Sequence, residues 1–129
     1  MHRRFTAVTV LVPDYDDAIA FYVDCLGFTL LEDTRLDETK RWVRVAPTGD
    51  AATALVLAKA ASTEQEARIG DQTGGRVFLF LATDDFDRDY ALYQSRGARF
   101  LESPRTEVYG KVAVFADPFG NKWDLIEPA

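Results

Sequence analysis

The sequence predicts an α+β fold made of two tandem βαβββ modules, at about residues 5–58 and 76–128. Two observations lead to this prediction. Each module opens with a strand, continues with a short helix that ends at a glycine, and then gives further strand-like runs. Between the modules, a polar stretch at about 59–75 loses the strand pattern and ends in two glycines, as is typical of a linker with at most a helical turn.

The first module begins with a strand over residues 5–12, where β-branched and apolar residues alternate. Asp14 can cap a helix that begins near Tyr15, and Gly27 stands where a left-handed residue would end it. Polar or proline- and glycine-containing turns then separate three strand-like runs. These are FTLLED at 28–33, RWVRVAP at 41–47 and TALVLAKA at 53–60.

The second module repeats this order. RVFLFLAT at 76–83 is a predicted strand, Asp84 or Asp85 can cap a helix, and Gly97 can end it. The strands ARFLES at 98–103, KVAVFAD at 111–117 and KWDLIEP at 122–128 follow. Equivalent residues keep a spacing of 70 or 71 residues, which indicates an internal repeat. Tyr15 precedes Phe86 by 71 residues, and Gly27, Leu31, Glu32, Val45 and Leu55 each precede Gly97, Leu101, Glu102, Phe115 and Leu125 by 70.

Composition narrows the function classes. A chain of 129 residues with 47% hydrophobic residues is long enough for one domain with a core. Its net charge of −6 argues against nucleic acid and suggests a preference for cationic ligands. No apolar run approaches a membrane span and no export signal is evident, so we expect a cytoplasmic protein. The single cysteine, Cys25, excludes an internal disulfide and has no histidine beside it to activate a nucleophile.

Two stretches carry a family resemblance. VPDYDDAIAFYVDCLGFTLLED at 12–33 resembles the opening of the vicinal-oxygen-chelate (VOC) superfamily of glyoxalases, bleomycin-resistance proteins and dioxygenases. ADPFGNKWDLIEP at 116–128 resembles the closing strand pair of that superfamily. The resemblance implies one VOC domain over residues 1–129, with two curved mixed sheets enclosing a ligand cavity, and a homodimer.

The resemblance also implies four metal-ligand positions, which fall at Ala7, Ala54, Phe78 and Asp124. Metal-dependent members carry His, Gln or Glu there, and in this chain only Asp124 could coordinate. A divalent catalytic site needs about three nitrogen or oxygen ligands from the protein. We therefore expect no metal cofactor.

Strand alternation, taken in the parity that the resemblance favours, sorts the side chains that face the predicted cavity. They are Thr9, Trp42, Arg44, Phe78, Phe80, Val112, Val114 and Asp124. Tyr109, in the turn before the strand at 111–117, could lie at the cavity mouth. Arg44 and Asp124 could form a structural ion pair. Alternatively, Arg44 could anchor an anionic or carbonyl group while Asp124 serves as a general base or counter-ion to a cation.

Two classes of function follow. The favoured hypothesis is a metal-independent protein, similar to bleomycin-resistance members, that binds a cationic or aromatic small molecule. The alternative is a glyoxalase-like lyase or isomerase, or a dioxygenase-like enzyme, that works through Asp124 or through non-standard metal ligands such as Glu107 or Glu127. A weaker third possibility is a non-catalytic subunit of a larger assembly.

Overall fold

A computed structural model of the protein describes residues 2–129. The chain forms two compact units, the first ending at Ile69 and the second beginning at Gly70. This boundary lies inside the stretch predicted as a linker. Each unit contains a mixed sheet of strands with a helix between the first strand and the rest. The predicted α+β class is therefore confirmed, and the first unit has the βαβββ strand order, whereas the second unit has one more strand after its helix.

The first unit holds a four-stranded sheet in the order β1-β4-β3-β2. Strand β1 is parallel to β4, and the remaining neighbours are antiparallel. The elements are β1 (Ala7–Val12), α1 (Tyr15–Ile19), a π-helical turn that continues α1 (Ala20–Cys25), β2 (Thr29–Arg35), β3 (Arg41–Ala46), β4 (Ala54–Lys59) and α2 (Thr63–Glu66). The short α2 is the helical turn expected in the linker.

Helix α1 starts as predicted, because the Asp14 carboxylate accepts a hydrogen bond from the Asp17 backbone N–H at 2.9 Å. The π-helical turn that follows contains the wider bond from Leu26 N–H to the Phe21 carbonyl at 3.0 Å. Both Phe21 and its neighbour Tyr22 are buried within this turn. Two adjacent aromatic rings therefore lie in the core of the first unit.

The second unit holds a five-stranded sheet in the order β5-β9-β8-β6, with β7 also pairing with β8. Its elements are β5 (Leu79–Ala82), α3 (Phe86–Ser95), β6 (Arg99–Phe100), β7 (Arg105–Glu107), β8 (Gly110–Ala116) and β9 (Lys122–Pro128). Asp85 is the residue that caps α3, since its carboxylate accepts from the Arg88 N–H. In the core of the second unit, the rings of Phe115 and Trp123 stack with centroids 5.9 Å apart.

The predicted strand at 98–103 is shorter than expected, because β6 covers Arg99–Phe100 alone and an irregular link joins it to an additional short strand, β7. Pro104 lies in this link and has no backbone N–H for a ladder. The Glu102 side chain replaces the missing backbone acceptor by taking a hydrogen bond from the Val114 N–H at 3.1 Å. A side chain thus bridges the gap in the sheet.

The buried faces of the strands follow the predicted parity. In the first unit, Val10, Val12, Val43 and Val45 are fully buried, and in the second unit Trp123 and Leu125 are buried. The intervening residues of these strands are the more exposed ones. Alternation of side chains therefore predicted correctly which residues of these strands pack into the core, whereas Val112 of β8, predicted to face the cavity, is fully buried. Within residues 2–129, none of the helices is both long and apolar enough to span a bilayer.

Candidate functional site

The first unit contains a cavity of about 700 Å³. Its lining residues come from β1, β3 and β4, from the first residue of α1, from the loop between β2 and β3, and from the segment that runs from β4 to α2. Trp42 of β3 and Ala58 of β4 both line the cavity.

Apolar and aromatic side chains form much of the cavity wall. The apolar lining includes Leu11, Tyr15, Trp42, Val56 and Ala58, and the polar lining includes Thr9, Asp37, Thr39, Lys40, Arg41, Lys59 and Gln65. A volume of this size is typical of a small-molecule site, and its wall combines apolar and aromatic side chains with several polar and charged ones. Thr9 and Trp42, two of the residues predicted to face a cavity, both line this one, whereas the other predicted residues are not among its lining.

Tyr15 closes the cavity on the side of α1. Its ring is 6% exposed, and its hydroxyl accepts a hydrogen bond from the Arg41 backbone N–H at 3.2 Å. The Arg41 guanidinium lies over the ring, 5.1 Å from the centroid. Asp33 and Asp16 bond this guanidinium at 2.7 Å and 3.0 Å, and they raise the pKa of Arg41 above its usual value. Arg41 thus holds both the hydroxyl and the ring of Tyr15 in place.

Glu32 organises the open face of the first sheet, a role that the sequence did not reveal. Its Oε1 atom accepts hydrogen bonds from the Trp42 indole N–H and from Arg44 Nε, each at 3.1 Å. Its Oε2 atom accepts from the Thr34 hydroxyl at 3.3 Å. One carboxylate therefore fixes the orientation of the aromatic ring that lines the cavity.

A β-bulge places Glu32 in this position. Leu30 lies opposite Val45, but Glu32 lies opposite Arg44, so β2 contains one extra residue between the two pairs. If the register of the Leu30–Val45 pair continued without a shift, Leu31 would lie opposite Arg44, and Glu32 would lie opposite Val43 and point to the buried side of the sheet. The bulge brings Glu32 onto the same face as Arg44.

The partner of Arg44 differs from the expected one. The sequence suggested an ion pair with Asp124, whereas the structure pairs Arg44 with Glu32. Register places Thr9, Val56 and Arg44 side by side across β1, β4 and β3. Arg44 therefore lies beside the cavity residues while its charge is balanced within its own sheet.

Asp124 lies on the equivalent open face of the second sheet. Phe80 and Val114 are its register partners, and Phe80 is 67% exposed. The Oδ1 atom of Asp124 is buried and has no hydrogen-bond partner among residues 2–129. Burial raises the pKa of this carboxyl, Arg105 partly offsets the rise, and Glu102 adds to it. Asp124 thus combines a buried, unsatisfied oxygen with an exposed aromatic neighbour.

The residues at the family's metal positions do not fit a metal ion. Ala7 and Ala54 are direct register partners on β1 and β4, as the resemblance implies, but neither has a ligating atom. In the second sheet the residue opposite Asp124 is Phe80, two residues from the expected Phe78. A shift of two residues keeps the same face and leaves a phenyl ring there. In the described part of the chain, no cluster of three or more His, Cys, Asp or Glu residues could hold a metal.

The other candidates occupy ordinary structural positions. The Tyr109 hydroxyl accepts a hydrogen bond from Arg105 at 3.1 Å in the turn between β7 and β8. Phe78 precedes β5 and donates its backbone N–H to the Lys122 carbonyl. Val112 is fully buried, and Cys25 is buried in the π-helical turn. These contacts place Tyr109, Phe78 and Val112 in the second unit, while the cavity described above is lined by the first.

The raised pKa of Asp124 predicts that Asp124→Asn stabilises the protein at neutral pH. A carboxyl whose pKa is higher in the folded than in the unfolded state costs stability when ionised, and this cost vanishes as the pH falls below both values. We expect the Tm of the variant to exceed that of the wild type by on the order of 2 °C at pH 7. The difference should disappear near about pH 3.5.

Asp37→Asn provides a control of opposite sign. Hydrogen bonds from the backbone N–H groups of Thr39 and Lys40 lower the pKa of Asp37, so its ionised form stabilises the folded state. Thermal melts at both pH values check the pair. An Asp124→Asn variant that melts below the wild type at pH 7 would contradict the assignment of a desolvated carboxyl.

Comparison with known proteins places these features in a family. The model of the Glyoxalase/Bleomycin resistance protein/Dioxygenase superfamily matches residues 4–125. An uncharacterized protein of Shewanella frigidimarina is 49% identical over 128 residues, covering 98% of this chain and 95% of that protein. The match therefore spans both units.

Solved structures agree. The crystal structure of UcmS2 has a TM-score of 0.85 and 28% identity, covering 98% of this chain and 99% of that chain. TnmS3, an antibiotic binding protein from Streptomyces sp. CB03234, has a TM-score of 0.79 and 34% identity, covering 99% and 98%. The chain belongs to the Glyoxalase/Bleomycin resistance protein/Dioxygenase superfamily.

Proposed function

We propose that the protein is a metal-independent, non-enzymatic binding protein for a small aromatic molecule, which it takes up in the cavity of the first unit. The observation that carries this proposal is the oriented Trp42 ring at the cavity wall. Its indole N–H is bonded to Glu32, and its side chain is 38% exposed. A fixed, partly exposed indole offers a flat stacking surface and loses little conformational freedom on binding.

The relatives support a binding role. TnmS3, which shares 34% identity over nearly the whole chain, is an antibiotic binding protein. Antibiotics are small molecules, and a cavity of about 700 Å³ is large enough for a drug-sized compound. We propose that this chain acts on its ligand by holding it, in the cytoplasm and as a homodimer.

The residue types at the family's metal positions support metal independence. Two alanines and a phenylalanine occupy the expected ligand positions Ala7, Ala54 and Phe78, Phe80 lies opposite Asp124, and Asp124 alone cannot supply the roughly three protein ligands that a divalent catalytic site needs. We therefore propose that binding needs no divalent ion.

Titration with an aromatic probe tests both parts of the proposal. N-phenyl-1-naphthylamine is a neutral aromatic dye, and we expect it to bind at one site per cavity in isothermal titration and to quench tryptophan emission. Dialysis against a chelator should change its Kd by less than about twofold. Stoichiometric Ni, Zn, Mn or Fe in protein purified without chelators, together with loss of dye binding after chelation, would contradict metal independence.

Asp124 favours one alternative, an enzyme that uses this carboxyl as a general acid or base. A buried oxygen without a partner and a raised pKa are features of such groups. Incubation with a metabolite extract and mass spectrometry of the products would detect turnover. Products formed by the wild type and not by Asp124→Asn would replace the binding proposal with this alternative.

A further inference from the structure

The polar groups of the cavity that still have unused hydrogen-bonding capacity are mainly donors. The Tyr15 hydroxyl accepts from the Arg41 backbone N–H, and its own proton has no acceptor among residues 2–129. Since Tyr15 is 6% exposed and lines the cavity, this proton can find a partner only in water or a ligand there. The cavity thus holds a buried donor without an internal acceptor.

Gln65 adds a second donor. Its side-chain oxygen accepts a hydrogen bond from the Ala61 backbone N–H at 2.8 Å, so the orientation of the amide is fixed. The amide nitrogen then carries two N–H groups for which the described residues supply no partner. Gln65 also lines the cavity. Its free end is therefore available to an acceptor on a ligand.

The charged side chains that line the cavity also favour a ligand that accepts hydrogen bonds. Lys40 and Lys59 line it, and within residues 2–129 neither forms an ion pair. Asp37 is the carboxylate among the lining residues, and its Oδ1 atom already accepts from the Thr39 and Lys40 backbone N–H groups at 2.8 Å and 2.7 Å. These bonds within its own turn use most of the hydrogen-bond-accepting capacity of the Oδ1 atom.

We propose that the ligand is an aromatic molecule bearing an anionic oxygen group, such as a carboxylate, sulfonate or phenolate, that accepts hydrogen bonds from Tyr15 and Gln65. This inference rests on the proposed binding function and specifies its ligand class. It reverses the preference for cations expected from the net charge of −6. Charges more than about 8 Å away are largely screened at physiological salt, so the groups lining the cavity outweigh the distant carboxylates.

Two dyes that differ by one group test the charge preference. 8-anilinonaphthalene-1-sulfonate carries a sulfonate that N-phenyl-1-naphthylamine lacks, and thioflavin T provides an aromatic cation. We expect the sulfonate dye to bind about 10-fold or more tightly than the neutral dye, since a hydrogen bond to a charged group contributes that much. Thioflavin T should bind more weakly than either.

Two substitutions test the residues. Tyr15→Phe removes only the hydroxyl, and it should weaken the sulfonate dye about 10-fold and the neutral dye less than about twofold. Gln65→Glu keeps the oxygen that accepts from the Ala61 N–H but replaces the donor with a negative charge. It should likewise weaken binding of the sulfonate dye much more than binding of the neutral dye. Tyr109→Phe and Gln94→Glu make the same chemical changes on the second unit and should leave both affinities unchanged.

The outcomes separate the two proposals. If none of the three dyes binds, the proposed function fails. If the neutral dye binds but the sulfonate dye binds no better, or if thioflavin T binds more tightly, the function stands and the ligand class is wrong. Tyr15→Phe also removes the acceptor of the Arg41 N–H, so a thermal melt accompanies it. If that variant does not fold, the test rests on Gln65→Glu, which lies on the exposed α2. If Gln65→Glu leaves the preference for the sulfonate dye over the neutral dye unchanged, the inference is overturned.

Discussion

Trp42→Ala is expected to weaken binding of N-phenyl-1-naphthylamine about 10- to 100-fold while leaving the protein folded. Removing a stacking aromatic from the centre of a binding site costs roughly 1.5–3 kcal/mol. The ring is 38% exposed and held by a bond from its indole to Glu32, so its loss removes little core packing. Isothermal titration measures the affinity, and far-UV circular dichroism checks the fold.

Two further variants locate the cause of the effect. Phe5→Ala removes an aromatic ring that is 83% exposed ahead of β1, and its dye affinity should match the wild type. Glu32→Ala keeps Trp42 but removes the acceptor of its indole N–H, so the affinity should fall by a smaller, few-fold amount. Equal affinities of Trp42→Ala and wild type would place the dye outside this cavity.

Gly110→Ala is expected to destabilise the protein by about 3 kcal/mol or more. Gly110 is buried at the start of β8 with a φ of 148°, a conformation that side chains rarely adopt. A Cβ atom there would lie 2.3 Å from the Glu127 carbonyl oxygen. That oxygen belongs to the backbone of β9, so relief of the clash requires the β8–β9 ladder to move, at a cost that adds to the strain in φ.

Gly97→Ala separates the cost of the steric clash from the cost of the strained φ. Gly97 also has a positive φ, of 98°, but an added Cβ would meet no atom within 4 Å. Its substitution should therefore cost about 1 kcal/mol, the conformational part alone. Urea denaturation of both variants measures the free energies of unfolding. Similar losses in the two variants would show that the clash at Gly110 is relieved without cost.

Local patterns explain why much of the fold could be predicted from the sequence. Asp14 and Asp85 cap helices because a short carboxylate side chain can reach the free N–H groups of the first turn. Alternation along the strands determined which valines are buried, because successive side chains point to opposite faces. These relations join residues a few positions apart, so the sequence contains them directly.

The candidate site depends on relations that span longer stretches of chain. The extra residue in β2 turns Glu32 towards Trp42 and Arg44, and residues of β1, β3, β4, α1 and α2 together line the cavity. Strand pattern encodes neither the bulge nor the meeting of these elements, since both depend on how neighbouring elements fit together. For the same reason, Arg44 pairs with Glu32 in its own sheet and not with the expected Asp124.

The sequence alone thus determined the α+β class, the repeat of the βαβββ unit, the buried faces of the strands and the lack of ligating side chains at Ala7 and Ala54. The tertiary structure decided where the cavity lies, which carboxylate orients Trp42, and that the buried Tyr15 hydroxyl lines the cavity. The physical reason is that short-range periodicity fixes which way a side chain points, whereas the partner it meets depends on strand register and on which elements pack together.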